Sequence, residues 1–328
     1  MWILEEPYSV TVGYAGAILA VLSVVLIRLY LSFSCGACTS KKDMNGKTVI
    51  ITGANSGIGL ETTLDLAKRG ARVIMACRNM LEAAKVRNTI AREAKNDNVV
   101  VRKLDLSSVQ SIREFAAEIN WREPRLDVLI HNAGMANTFS KKVTEDGFEV
   151  TMMTNMFGPF LLTHLLIDLL KKSAPSRIVV VASELYRLAN VNMNKPNPVN
   201  TLPAYLYYAS KYANILFTRE LAQRLQGTGV SANCLHPGMI DSGIWRDVPF
   251  PLNIPVKIIA KIFFKTPEEG AQTTIHLAVS DEVNEANGKY FMDCREHGLS
   301  SDVSDMGKAA KYWEILEGLI LKPSDPRI

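Results

Sequence analysis

Tyr207 and Lys211 stand four residues apart in a segment patterned as a helix, so both side chains project from one face. A phenol with an ordinary pKa of about 10 is a poor proton donor or base at neutral pH. An ammonium group beside it favours the phenolate and lowers that value. A phenol tuned in this way can protonate a carbonyl oxygen as hydride arrives, or remove the proton in reverse. The spacing alone is common and mostly structural. Tyr205, Tyr208 and Tyr212 crowd the same stretch, but only Tyr207 lies four residues before a lysine. Ser183, at the end of an apolar run, can orient the same oxygen. Asn155 is a polar group in an otherwise apolar region and needs a partner; it can hold a water next to Lys211.

Hydride chemistry needs a carrier, and Thr52-Gly53-Ala54-Asn55-Ser56-Gly57-Ile58-Gly59 has the form of a dinucleotide turn. It follows the β-branched run Thr48–Ile51 and precedes a helical pattern that stops at Gly70. Gly53 permits the tight turn, and Gly57 and Gly59 let the backbone approach a pyrophosphate. Asn55, Ser56 and Ile58 complete the turn at a helix N-terminus, whose free N–H groups and dipole favour an anion. A glycine-rich turn without a ligand is the plainer reading of that stretch taken alone. Arg78 stands just beyond the second strand, where an acidic residue would hold an NAD ribose hydroxyl; a guanidinium there suits a 2′-phosphate, hence NADP(H). Asp105 and Leu106 end the third strand and can flank the adenine, with helix capping as the alternative for Asp105.

The elements that must position these residues alternate. Strands are expected at Thr48–Ile51, Arg72–Ala76, from Val99, at Leu126–Ile130, Ile178–Val181, Ser231–Leu235 and Gly288–Phe291. Helices fall between them, one reaching about Ala94 and one over Tyr205–Leu225. Ser107 with Gln110 reads as a capping box, and Thr266, Pro267 and Glu269 as another helix start. Strands that are solid apolar runs indicate a doubly wound parallel α/β sheet covered on both faces. Ligands bind such sheets beyond the carboxyl ends of the strands. The motifs sit at those ends, including Asn132-Ala133-Gly134 and Pro237-Gly238.

The 328 residues are 48% hydrophobic with a net charge of +4, and no dense basic block is interleaved with aromatics, which argues against nucleic acid. Five scattered cysteines fit reduced thiols rather than a disulfide framework. Cys35 and Cys38 have redox spacing without further ligands; acylation or no special role are the competing readings. Val10–Ile27 carries no charge and is long enough for a membrane span. Acidic Glu5 and Glu6 precede it, and Arg28, Lys41, Lys42 and Lys47 follow. This bias predicts a single-pass, uncleaved anchor with the large domain in the cytosol. The expected division is an anchor and juxtamembrane segment over 1–40, the catalytic domain over 41–300, and an amphipathic C-terminal helix and tail over 301–328.

The set Thr52-Gly53-x-x-x-Gly57-Ile58-Gly59, Asn132-Ala133-Gly134, Asn155, Ser183, Tyr207-x-x-x-Lys211 and Pro237-Gly238 resembles the short-chain dehydrogenase/reductase family, in that family's order and spacing. The resemblance covers about Gly46 to Phe291. Within it, Ala76-Cys77-Arg78, Arg102–Ser107, Leu161–Leu166, Ser173–Val179, Lys211-x-Ala213–Phe217 and Thr266-Pro267 with Gly270–Thr273 resemble the microsomal retinol dehydrogenases of the retinal-reductase type. It implies a single Rossmann-like sheet behind an N-terminal transmembrane helix at the endoplasmic reticulum or another intracellular membrane. It further implies Ser183 as carbonyl positioner, Tyr207 as acid/base, and Lys211 as the group that lowers the tyrosine pKa and binds the nicotinamide ribose. Asn155 would complete a proton relay, and Asn132, Ala133, Gly134, Pro237 and Gly238 would line the cofactor. Two positions depart from the pattern: His131 replaces an asparagine, in a packing role, and Ala182 replaces a second serine. The remaining histidines show no metal spacing.

The substrate side is less specified. Asn190–Leu202 reads as a loop before the catalytic helix. Ile244–Phe264 is apolar with Lys257, Lys261 and Lys265 at four-residue intervals, and reads as a membrane-surface helix or a lid. Ala309–Leu321 reads as an amphipathic docking or dimer helix, so a homo-oligomer is one expectation. Together these predict an NADP(H)-dependent oxidoreductase acting on a lipophilic alcohol and its carbonyl form, with membrane lipid as a partner and retinal reduction as the leading reaction. Reduction of other lipid aldehydes or sterol ketones, and a non-enzymatic NADPH-binding scaffold, are the alternatives.

Overall fold

Every residue of β1 (Thr48–Thr52) is buried, a condition a strand meets at the centre of a sheet covered on both faces. A computed structural model describes residues 6–137, 140–240 and 263–328. β2 (Arg72–Cys77), β3 (Val99–Lys103), β4 (Val128–His131), β5 (Ser176–Val181), β6 (Val230–His236) and β7 (Tyr290–Met292) join β1 in the parallel order β3-β2-β1-β4-β5-β6-β7. A short β8 (Arg295–Glu296), which no sequence signal marked, pairs antiparallel with β7 at the edge. The order reverses between β1 and β4, and the switch point lies where the Gly53 and Asn132 turns meet.

Helices α2 (Gly57–Lys68), α3 (Met80–Ala94), α4 (Val109–Arg122), α5 (Gly158–Lys172), α6 (Pro203–Arg224) and α7 (Pro267–Val279) fall between the strands. Leu66, Ile90 and Ile275 pack on one face of the sheet; Phe115, Phe160 and Phe217 pack on the other. α6 starts two residues earlier than expected because Pro203 sits in its first turn. The cap of α4 is Ser108, which accepts from Ser111 N–H, rather than Ser107. Ser107 instead turns back and donates to Asp105. The Thr266–Glu269 capping box is present in both directions.

Helix α1 (Glu6–Ser34) precedes the sheet. Its described side chains from Tyr14 to Tyr30 are mainly apolar and mostly exposed. Val150–Lys172 is similarly apolar but 83% buried, which marks it as a core helix rather than a span. Residues 35–40, expected in the anchor and juxtamembrane segment, run along the domain with residues 41–44: Arg69 donates to Ser40 O at 2.7 Å and Lys42 pairs with Asp281 at 2.8 Å.

The chain ends in α8 (Met306–Ile320), which buries Tyr312, Trp313 and Leu316 against α6 and α5. Trp313 stacks on Phe217 at 5.9 Å and meets Phe160 edge-on at 4.9 Å. Arg113 grips Asp325 with two bonds of 2.6 and 2.7 Å. The amphipathic helix expected within 301–328 thus packs its apolar stripe on the main core, the docking alternative.

Candidate active site

The strand ends position the polar groups. Thr52 Oγ1 accepts from the N–H groups of Asn132 and Ala133 at 3.0 and 2.9 Å, while Asn132 Nδ2 donates to Thr52 O at 2.8 Å and Gly53 O at 3.3 Å. This cross-link ties β1 to β4 and shapes the glycine turn. Gly53 and Gly57 hold φ of +66° and +55°, values L side chains rarely adopt. A Cβ on Gly59 would lie 2.4 Å from Gly53 O and 2.5 Å from Asn132 Nδ2. Ser56, the N-cap of α2, makes no side-chain cap bond, so the first N–H groups of the helix are left for an outside acceptor. Asn55, Ser56 and Ile58 are partly or fully accessible along this turn. A pyrophosphate fits these features.

Arg78 lies exposed past β2 and has no hydrogen bond or ion pair among the described residues. Asp105 is partly engaged: its Oδ1 accepts from Ser107 N–H and Ser107 Oγ at 2.9 and 2.6 Å in an Asx turn ahead of α4, whose cap is Ser108 instead, and one carboxylate oxygen remains. Leu106 is buried, and its carbonyl crowds Gly158 so that a Cβ there would sit 2.6 Å away. Gly238, after Pro237 at the end of β6, has φ of +99° and lies against Lys265.

On α6, Tyr207 and Lys211 share a face as expected, with Lys211 Nζ 5.6 Å from the Tyr207 ring centroid. Lys211 Nζ donates to Val181 O at 2.7 Å, which aims it across the sheet end beside Gly134. Burial drives its pKa down to about 8. Burial also pushes the Tyr207 phenol up to about 12, against an opposing hydrogen bond from Ser183. Desolvation therefore outweighs the expected lowering in the chain by itself. Ser183 Oγ also accepts from Leu185 N–H at 3.3 Å, as N-cap of the 3-10 turn Glu184–Leu188.

Asn155 falls in a π-helical turn, Met153–Phe157, ahead of α5. Its Nδ2 donates to Met135 O at 2.9 Å and Ser210 Oγ at 3.0 Å, and its Oδ1 accepts from Met135 N–H at 2.8 Å. One amide proton is thus committed to the loop after β4 and the other to Ser210 on α6, and a water held by this side chain would meet only the remaining oxygen lone pair. Ser210 and the Val181 carbonyl were not singled out by sequence reasoning, nor was the acceptor role of Thr52 within its motif. Thr52 and Ser210 are small polar groups in buried surroundings, the one signal that marks them. His131 is buried, with Nε2 2.8 Å from Thr163 Oγ1 and a pKa driven to about 3 by burial, so it is neutral and structural.

The Asn190–Leu202 loop closes a cavity of about 220 Å³ against Met152, Tyr205 and Leu206. A larger cleft of about 350 Å³, between α2 and α3, is lined by Leu60, Leu64, Val86 and Ile90 and holds none of the groups above. Most of Ile244–Phe264, the expected membrane helix or lid, lies outside the described residues. Cys35 and Cys38 are free thiols, and no group of metal-ligating side chains occurs among the described residues.

A parallel sheet with a glycine turn at its switch point, a Ser past a neighbouring strand end and a Tyr and Lys on the helix beside it defines a nicotinamide-type oxidoreductase. The short chain dehydrogenase profile matches residues 47–249, and the chain belongs to that family of enzymes. It is 46% identical to human retinol dehydrogenase 14 over 84% of this chain and 87% of that protein. It is 42% identical to mouse retinol dehydrogenase 12 over 91% of this chain and 96% of that one. A short chain dehydrogenase of Shigella flexneri, solved with NADP, superposes with a TM-score of 0.62 at 26% identity, covering 78% of this chain and all of its own.

The low Lys211 value carries a pH prediction. Lys211 loses its proton as pH rises through about 8, so a cofactor role for it, as the family resemblance implies, would have the charge below that pH and lose it above. NADPH affinity measured by fluorescence titration should fall between pH 7 and pH 9, and Lys211→Arg should flatten the fall. A flat wild-type profile would remove Lys211 from the cofactor site.

Proposed function

We propose that this protein reduces retinal to retinol with NADPH while anchored to an intracellular membrane. The observation that carries the reading is the Ser183 side chain set on the Tyr207 phenol, with Lys211 one turn further along the same helix face. NADPH, when bound, supplies the hydride. Ser183 holds the carbonyl oxygen, and Tyr207, protonated at neutral pH, donates its phenolic proton to that oxygen as negative charge develops on it. Lys211 holds the nicotinamide ribose and adds the cation that brings the phenol within range of proton exchange. Asn155 fixes the loop carrying Met135 and so keeps Gly134 open beside Lys211. The relatives' names point to the retinoid. The charge bias around α1 supports a single pass, with the endoplasmic reticulum as the expected membrane and the catalytic domain in the cytosol.

Arg78 is assigned the 2′-phosphate. Arg78→Asp should raise the KM for NADPH by about 10- to 100-fold, the worth of a charge-assisted phosphate contact, and leave that for NADH nearly unchanged. Equal effects on both cofactors would defeat the assignment. The substrate is tested by NADPH oxidation in detergent with all-trans-retinal, nonanal and a keto-steroid. Retinal turnover is expected; turnover of only nonanal or the steroid would discard the retinoid and keep the chemistry.

A further inference from the structure

The strip that joins α1 to the sheet follows α7 from one end to the other. Arg28 pairs with Glu269 in the first turn of α7 at 3.1 Å. Gly36 N–H donates to Asp293 Oδ1, just past β7, at 3.3 Å, and Cys38 N–H donates to Gln272 Oε1 at 3.1 Å. Lys42 meets Asp281 beyond the last turn of α7, and β1 begins soon after. α7 returns the chain to the start of a parallel strand, so its first turn lies at the carboxyl ends of the strands. α1 therefore leaves the domain at the edge that carries Gly53, Ser183 and Gly238. The uncharged stretch from Val10 to Ile27 rises about 27 Å, close to the thickness of a hydrocarbon core. That places Arg28, and Glu269 with it, at headgroup level.

A second observation selects the same edge. Among the described residues outside α1, all but one of the exposed large apolar side chains stand in the connections that follow strands, or in the first turn of the next helix. They include Leu81 at 82% exposure, Leu202 at 73%, Leu188 at 63%, Val143, Met239 and Phe263. The exception is Trp121 at 79%, on the last turn of α4 at the opposite edge, where Arg122 covers its ring at 5.0 Å. Apolar side chains scattered singly need no explanation; their collection at one edge, beside a membrane helix, does.

We propose that the carboxyl edge of the sheet, pinned by Arg28–Glu269 and rimmed by Leu81, Leu188 and Leu202, rests on the bilayer, so that the active site faces the lipid and takes its aldehyde from it. The orientation rests on α1 being a membrane span; only the aldehyde rests on the proposed function. The full chain in phosphatidylcholine vesicles tests it. Benzoylphenylalanine placed at 188 or 202 should photo-cross-link to lipid, and at 121 should not. Adducts at neither 188 nor 202, or equally at 121, overturn the orientation. In the same vesicles Leu188→Asp with Leu202→Asp should raise the KM for retinal about tenfold, with kcat and the KM for water-soluble propanal unchanged. An equal rise for both aldehydes overturns uptake from lipid. Cross-linking needs no turnover, so an enzyme inactive on retinal but cross-linked at 188 and 202 loses its substrate assignment and keeps its orientation.

Discussion

Tyr207→Phe should lower kcat for carbonyl reduction by a factor of about 100 to 10,000, the range a positioned general acid supplies, while leaving the Kd for NADPH within about twofold, well under 1 kcal/mol. The substitution removes one oxygen and keeps the ring that faces Lys211 Nζ. It also leaves Lys211 bonded to Val181 O, so the cofactor side of the site keeps its geometry. The split between kcat and Kd is the informative part. A variant that loses both would mean that the phenol holds the site together; a variant that loses neither would move the proton to another group. Because burial holds the phenol well above neutrality, it is protonated through the physiological range in the chain by itself. Reduction should therefore show no Tyr207 ionisation below about pH 9, whereas alcohol oxidation, which needs the phenolate, should speed up as pH rises.

Gly59→Ala should abolish measurable NADPH binding, a loss of at least about 100-fold, or roughly 3 kcal/mol. The added methyl would meet the Gly53 carbonyl and the Asn132 amide at distances no real Cβ shows. Both neighbours belong to the cross-link between β1 and β4, so neither can give way without opening the turn. Strain of this kind also costs about 1–3 kcal/mol of stability, readable as a lowered midpoint in urea. Gly318→Ala, on α8 with nothing within 4 Å of the added carbon, is the matched control and should bind NADPH normally. Normal binding by Gly59→Ala would show that the turn is not the pyrophosphate cradle.

The two predictions differ in how far the sequence leads to them. Strands such as Thr48–Thr52 and caps such as Thr266–Glu269 are visible in the chain because the forces that make them act within a few residues. The Tyr207–Lys211 pair is legible for the same reason, since one helix sets its geometry. Contacts between distant segments are not visible in this way. Thr52 and Asn132 are 80 residues apart, and nothing local marks a threonine at a strand end as the acceptor for two amides. The amide protons of Asn155 go to Met135 and Ser210, 20 and 55 residues away in the chain, so sequence reasoning finds the residue but not this commitment. Arg28, Lys42 and Lys47, expected as a positive flank to the apolar run, are all ion-paired to the domain. The charges that the sequence offers as a membrane flank therefore also seat this segment on the domain.

The plug made by Trp313 has a consequence for the order in which the protein is made. Synthesis proceeds from the N-terminus, so α1 is made before any of the sheet, and α8 follows every strand of it. Until Trp313 arrives, the walls it covers, Phe160, His164 and Phe217, face water on a sheet already able to pair its strands. The nascent chain thus carries an uncovered aromatic wall from the synthesis of Phe217 until that of Trp313.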